Sequence, residues 1–203
     1  MSADRREVAR YLGLGGRQLS PELEAYAETC ERELARLGPP RTVRRRLSVS
    51  ALPGESRDLA HHLRHCRDCV LYAVTMGAET DRLLRRWSAR SMAQAAVGQA
   101  VCAVRLDEFC ADLCDEIHRE GGGYLTPPFS PGYGDWDLSV QGKVLDLLSA
   151  HKRIGLTMTA GGMLVPEKSV TAVVGISDSQ EDACGQRCMR CRKTDCPFRA
   201  APV

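Results

Sequence analysis

Residues 92–123 read MAQAAVGQAVCAVRLDEFCADLCDEIHREGGG. Apolar residues recur there at helical spacing, and Leu106, Cys110, Leu113 and Ile117 fall on one stripe, which predicts a long helix from Met92 to Glu120 packed along that stripe. Gly121, Gly122 and Gly123 end it. The next stretch, Tyr124 to Asp137, holds three prolines and two glycines and is expected to be irregular. Irregular stretches of that length inside a compact domain are uncommon and usually functional. A second helix is expected over Leu138 to Ala150, then strands over Ile154 to Thr159 and Ser169 to Ile176, joined through Gly161-Gly162 and Pro166-Glu167-Lys168.

The same procedure applied towards the N-terminus predicts a helix over Glu79 to Ser88 and a strand over Val70 to Thr75 that is apolar on both faces. A helix is expected over Ser56 to His65. Arg41 to Ser50 alternates as a strand exposed on one side does, with Val43, Leu47 and Val49 on the apolar phase. In the segment before it, Ser20 caps and Pro21 suits the first helical position, while Gly38-Pro39-Pro40 stops the helix after Leu37. A short helix over Arg5 to Leu12 opens the chain. Helices and strands in this order predict one α+β body over residues 1–177 with a cysteine-rich tail over residues 178–203.

Bulk properties limit the function. The chain has 203 residues, 28 Lys and Arg against 26 Asp and Glu, and a formal charge of +2. That balance produces no field of the kind that gathers nucleic acid or anionic membrane, and 5% aromatic content argues against base-stacking platforms. The run Arg44-Arg45-Arg46 reads first as a solvated face and second as a binding patch. Apolar runs such as Val70 to Met76 are far below the roughly 20 residues of a spanning helix, and charge from Asp4 onward argues against a signal peptide. The expectation is a soluble cytoplasmic protein.

Ten cysteines in a chain able to build a core read as reduced thiols, some of them binding metal. Cys184, Cys188, Cys191 and Cys196 lie close together among polar and basic linkers. Four thiolates can close a zinc site or hold an iron–sulfur cluster, and Arg187, Arg190, Arg192 and Lys193 would offset their charge. The alternative is a tail of redox-active or incidental thiols. His61, His62, His65, Cys66 and Cys69 form a weaker cluster, expected to be a helix-to-strand junction. Cys102, Cys110 and Cys114 are expected to act as small core hydrophobes.

The heptapeptide Ser130-Pro131-Gly132-Tyr133-Gly134-Asp135-Trp136 has the make-up of a small-molecule cradle: glycines allow close approach, prolines stiffen the frame, and two aromatic side chains offer flat faces. A tightly packed turn with its aromatics folded inward is the other reading.

That loop, with Leu164-Val165-Pro166-Glu167-Lys168-Ser169-Val170, Ala73-Val74-Thr75-Met76-Gly77 and the long helix, resembles the reactivation domain of cobalamin-dependent methionine synthase in its free-standing form. The likeness runs from about Ala60 through Ile176. It implies helices beside a mostly antiparallel sheet, and a protein that binds S-adenosylmethionine and presents its methyl to cob(II)alamin while a reductase such as a flavodoxin or ferredoxin supplies one electron. The family's binding signature maps onto Gly132 and Tyr133, flanked by Pro131 and Gly134, with Glu108 as an acidic residue of the long helix. Pro128 stands where the family has an arginine for the methionine carboxylate, a loss on the order of 1.5–3 kcal/mol of binding. No proline follows Tyr133 at the family position. Arg119 is a candidate replacement clamp. No Asp-x-His-x-x-Gly cobalamin motif occurs, so the resemblance implies that the corrinoid arrives on a partner. The alternative role is a non-catalytic adaptor or electron-transfer module for a corrinoid protein, with methyl-donor binding lost.

Overall fold

The structure, a computed structural model, describes residues 3–15, 17–121 and 123–179. In chain order the elements are α1 (Arg5–Tyr11), α2 (Pro21–Ala35), β1 (Arg41–Ser48), α3 (Arg57–His62), β2 (Cys66–Thr75), α4 (Ala78–Arg90) and α5 (Met92–Gly121). They are followed by β3 (Tyr124–Leu125), α6 (Gln141–Leu148), α7 (Ala150–Ile154), β4 (Thr157–Met158), β5 (Leu164–Val165) and β6 (Ser169–Ser177). Local signals place several of these ends. The Asp4 side chain caps α1, Ser20 caps α2 ahead of Pro21, and Ser56 accepts the Leu59 N–H to cap α3.

Four strands form one sheet in the order β1-β2-β6-β3, and every neighbouring pair is antiparallel. Strand alternation divides β2 and β6 cleanly. Cys69, Leu71, Ala73 and Val173 face one way and meet Leu59, Leu63, Trp136, Val144, Leu148 and Ile154 from α3, α6, α7 and the loop between β3 and α6. Val70, Tyr72, Val74, Ala172 and Val174 face the other way, onto Leu106, Leu113, Cys114 and Ile117 of α5. Both faces are covered, which is why β2 and β6 read as continuous apolar runs. The fold is α+β with helices against a mostly antiparallel sheet.

A separate core lies beyond the sheet, where the N-terminal half of α5 packs with α1, α2 and α4 around Val8, Cys30, Leu34, Leu84, Trp87 and Val101. The long helix therefore serves two cores, one helical and one on the sheet.

Several sequence expectations need correction. The cluster from His61 to Cys69 spans the junction of α3 and β2 as expected, but the strand starts before Val70: Cys66 and Cys69 lie within β2 and pair with Ser177 and Gly175 of β6. The stretch from Tyr124 is not wholly irregular: β3 pairs with β6, and Phe129 exchanges both backbone hydrogen bonds with Val173 at 2.9 and 2.8 Å. Prolines at 127 and 128 remove two donors, but Thr126 and Phe129 keep theirs and use them on β6. The helix expected through Ala150 breaks at Ser149, whose φ is 51°, and Ile154 ends α7, so only Thr157–Met158 forms a strand there. The run Arg44-Arg45-Arg46, three of the four arginines of β1, is the largely exposed face first expected, and each of the three holds a partner. Arg44 pairs with Glu116 and Glu120 of α5 at 3.0 Å each, Arg45 donates to the Leu147 carbonyl, and Arg46 pairs with Asp68 at 2.7 Å. Cys184, Cys188, Cys191 and Cys196 lie outside the described residues.

Candidate functional site

The loop after β3 is held at both ends by interactions its sequence supplies. Thr126 donates its N–H to the Gly175 carbonyl and its hydroxyl accepts the Gly175 N–H, at 3.0 and 2.9 Å. His62 of α3 donates its Nε2–H to the Pro127 carbonyl at 2.7 Å, and its ring lies 5.1 Å from that of Phe129. At the far end the Asp135 carboxylate accepts from the Ser56 hydroxyl and from the Arg57 and Asp58 N–H groups, while Asp58 accepts the Asp135 N–H at 3.0 Å. Those donors hold the Asp135 carboxyl below its ordinary range, the Ser56 hydroxyl first among them.

Gly134 sits at φ 52° directly over Asp58, where a β-carbon would overlap the carboxylate. Trp136 is fully buried and donates its indole N–H to the Pro53 carbonyl at 3.0 Å. Tyr133 stays outside, 48% exposed, edge-on to Phe129 at 5.9 Å. One aromatic of the loop is thus a core anchor and the other a surface residue.

Between this loop and α5 lies a cavity of about 620 Å³. Pro128, Ser130 and Tyr133 of the loop form one wall, with Tyr124 and Leu125 of β3 beside them. Asp107, Cys110, Ala111, Cys114, Asp115 and His118 of α5 form the opposite wall, and Tyr72, Val170 and Ala172 of the sheet form the floor. The α5 residues make two adjacent rows at four-residue spacing, 107-111-115 and 110-114-118, the second sharing Cys110 and Cys114 with the face that packs on the sheet. Burial pushes the Cys110 thiol up to about 12, so it is a neutral, polarizable wall group and a poor nucleophile. His118 donates Nδ1–H to the Gly123 carbonyl at 2.7 Å, which fixes its tautomer at that nitrogen. Asp107 accepts from the Tyr11 hydroxyl of α1, and burial, with that carboxylate second, pushes the phenol up to about 12.

Of the residues singled out from sequence, Tyr133 lines the cavity. Pro131 is buried beneath the loop, and Gly132 shapes the turn with its N–H on the Trp136 carbonyl at 2.7 Å. Neither these two nor Gly134 lines the cavity. Glu108 points away from it and accepts the Asp4 N–H at 3.1 Å. Arg119 is likewise not among the lining residues. Asp107, Asp115, His118, Tyr72 and Tyr124 are lining residues that the sequence reading did not select. The signal for the α5 members was present as small and polar residues at four-residue spacing beside the apolar stripe. Tyr72 carried no such signal, because a tyrosine in an apolar strand reads as core.

Among the described residues no group of three or more His, Cys, Asp or Glu side chains could hold a metal ion, and no helix is long and apolar enough to cross a membrane. Cys69 is buried within β2 and donates its thiol to the Leu47 carbonyl at 3.6 Å.

No family model matches the sequence, and no curated protein matches it. Among solved structures the chain is similar to the crystal structure of the MetH reactivation domain bound to AdoHcy, a likeness of fold at TM-score 0.48 and 18% identity. The match covers 55% of this chain and 40% of that chain, so less than half of that chain's length is represented here.

Proposed function

We propose that the cavity between α5 and the loop binds an adenosyl sulfonium ligand, S-adenosylmethionine in the first instance. The protein would act in trans in the reductive reactivation of a cobalamin-dependent methionine synthase or a related corrinoid protein. The observation that carries this reading is the meeting of Ser130 and Tyr133 with Asp107 and Asp115 around a space of about 620 Å³. That volume suits a nucleoside-sized ligand. Carboxylates attract a sulfonium or ammonium, and the tyrosine rings offer faces to a base or a cation. Tyr133 stands half exposed at the rim, so a ligand held against it stays within reach of a second protein.

Cobalamin and the electron belong to partners: a corrinoid-carrying protein, and a reductase such as a flavodoxin or ferredoxin. This chain's residues would bind and orient the methyl donor. Glu108, by holding the Asp4 backbone, would keep α1 against α5 behind the cavity.

A second reading, an adaptor or electron-transfer module without methyl-donor binding, is favoured by one observation: Pro128 lines the cavity and no Lys or Arg among the described residues does. Calorimetric titration separates the two. The first reading expects S-adenosylmethionine to bind at about micromolar strength, S-adenosylhomocysteine more weakly because its thioether is neutral, and Tyr133→Ala to lose roughly tenfold or more. Absence of heat with S-adenosylmethionine would leave the adaptor reading.

A further inference from the structure

The charges around the cavity are one-sided. Its wall holds two carboxylates, Asp107 and Asp115, and among the described residues no lysine or arginine. The two acids are eight residues apart on one helix, about 12 Å along its axis, with Cys110, Ala111 and Cys114 between them. Asp115 has no hydrogen bond or ion pair to other described residues, whereas Asp107 is held by the Tyr11 hydroxyl. The other walls carry Tyr72, Tyr124 and Tyr133, and Pro128 among them has no N–H to donate.

Cations whose positions neighbour the lining residues do not enter. Arg44, on the strand beside Tyr72, is committed to Glu116 and Glu120 at 3.0 Å each. Arg105, Lys168 and Arg119 stand two, two and one positions from lining residues, yet none of them lines the cavity.

An anionic group brought into this space would meet two carboxylates and no lysine or arginine, only the His118 imidazole, whose Nδ1–H is already given to the Gly123 carbonyl, and an unpaired charge leaving water is costly. A cation would meet the two carboxylates on one wall and tyrosine side chains on the others. We infer that the cavity prefers cationic ligands that carry no carboxylate, and holds a sulfonium or amine nucleoside without an amino-acid carboxylate more tightly than S-adenosylmethionine itself. The inference rests on the reading of the cavity as an adenosyl sulfonium site and narrows its ligand class.

The test compares S-adenosylmethionine with decarboxylated S-adenosylmethionine, which keeps the nucleoside, the sulfonium and the amine, by calorimetry on the full chain. The expected result is that the decarboxylated ligand binds at least roughly tenfold more tightly. Asp115→Asn should then weaken it by about tenfold, and Pro128→Arg should reverse the preference by supplying a cation at the wall. Equal or tighter binding of S-adenosylmethionine to the unaltered protein overturns the inference and leaves the proposed function standing. Binding of neither compound, with the fold verified by circular dichroism, overturns both.

Discussion

A β-carbon on Gly98 would overlap the six-membered ring of Trp87 at Cε3 and Cζ3. Trp87 is fully buried and its indole N–H donates to Glu33 at 2.8 Å, a carboxylate that also pairs with Arg86 at 2.7 Å. The ring therefore has a polar tether as well as a packed face and cannot swing aside without losing a hydrogen bond. Gly98→Ala would gain about 1 kcal/mol of helix propensity and lose about 3 kcal/mol to overpacking. The expected net is a destabilisation of about 2 kcal/mol in denaturant unfolding, with an unchanged slope. An unchanged or raised midpoint would mean that α4 and α5 are not held at this separation. From sequence alone this glycine reads only as a weak point in a helix. Its role belongs to the partner ring eleven residues earlier in the chain.

At the scale of elements, the loop and α3 are clasped by Asp135 and Asp58, each accepting from the other segment's backbone. Asp135 caps α3 from outside the helix, beside the local cap from Ser56. The folded protein holds this carboxyl below the ordinary aspartate value of about 3.9. A depressed folded pKa contributes stability that is present above the unfolded value and lost as pH falls through the folded one. The expectation is a loss of stability on acidification below about pH 4 that Asp135→Asn makes less steep, read from unfolding midpoints against pH. A variant with the same slope as the parent would show that the clasp is not a titrating element. The loop's prolines and glycines mark it as special in the sequence, but the clasp needs Ser56 and Asp58, more than seventy residues away.

Across the whole molecule, β2 and β6 occupy the centre of the sheet with both faces covered, while β4 and β5 form an isolated two-residue ladder near the surface. Opening the centre exposes the cores on both faces, whereas opening the β4–β5 pair exposes little. Hydrogen exchange should accordingly be slowest at amides of Leu71, Ala73, Val173 and Val174 and fast at Thr157 and Leu164. Protection at Thr157 equal to that at Val173 would contradict this ordering. The long helix links both ends of the molecule: its first half closes the helical core, its second half covers the sheet, and the cavity-lining rows lie on the same second half.

What the sequence determined by itself is local. The cap at Ser20, the apolar runs of β2 and β6 and the periodicity of α5 all act within a few residues, so their elements were legible in the one-dimensional pattern. The 130–136 loop was legible as special for the same reason, since proline and glycine restrict or free the backbone at their own positions. What only the tertiary structure decided depends on contacts between distant segments. Antiparallel pairing with β6 holds the proline-containing stretch along the sheet, through the Thr126 N–H on Gly175 and an isolated bridge between Phe129 and Val173. The packing angle of α5 on the sheet turned Asp107 and Asp115 into cavity walls and turned Glu108, their neighbour, towards Asp4. A helix advances about 100° per residue, so adjacent acids point in different directions, and which of them meets a ligand is set by what the helix packs against.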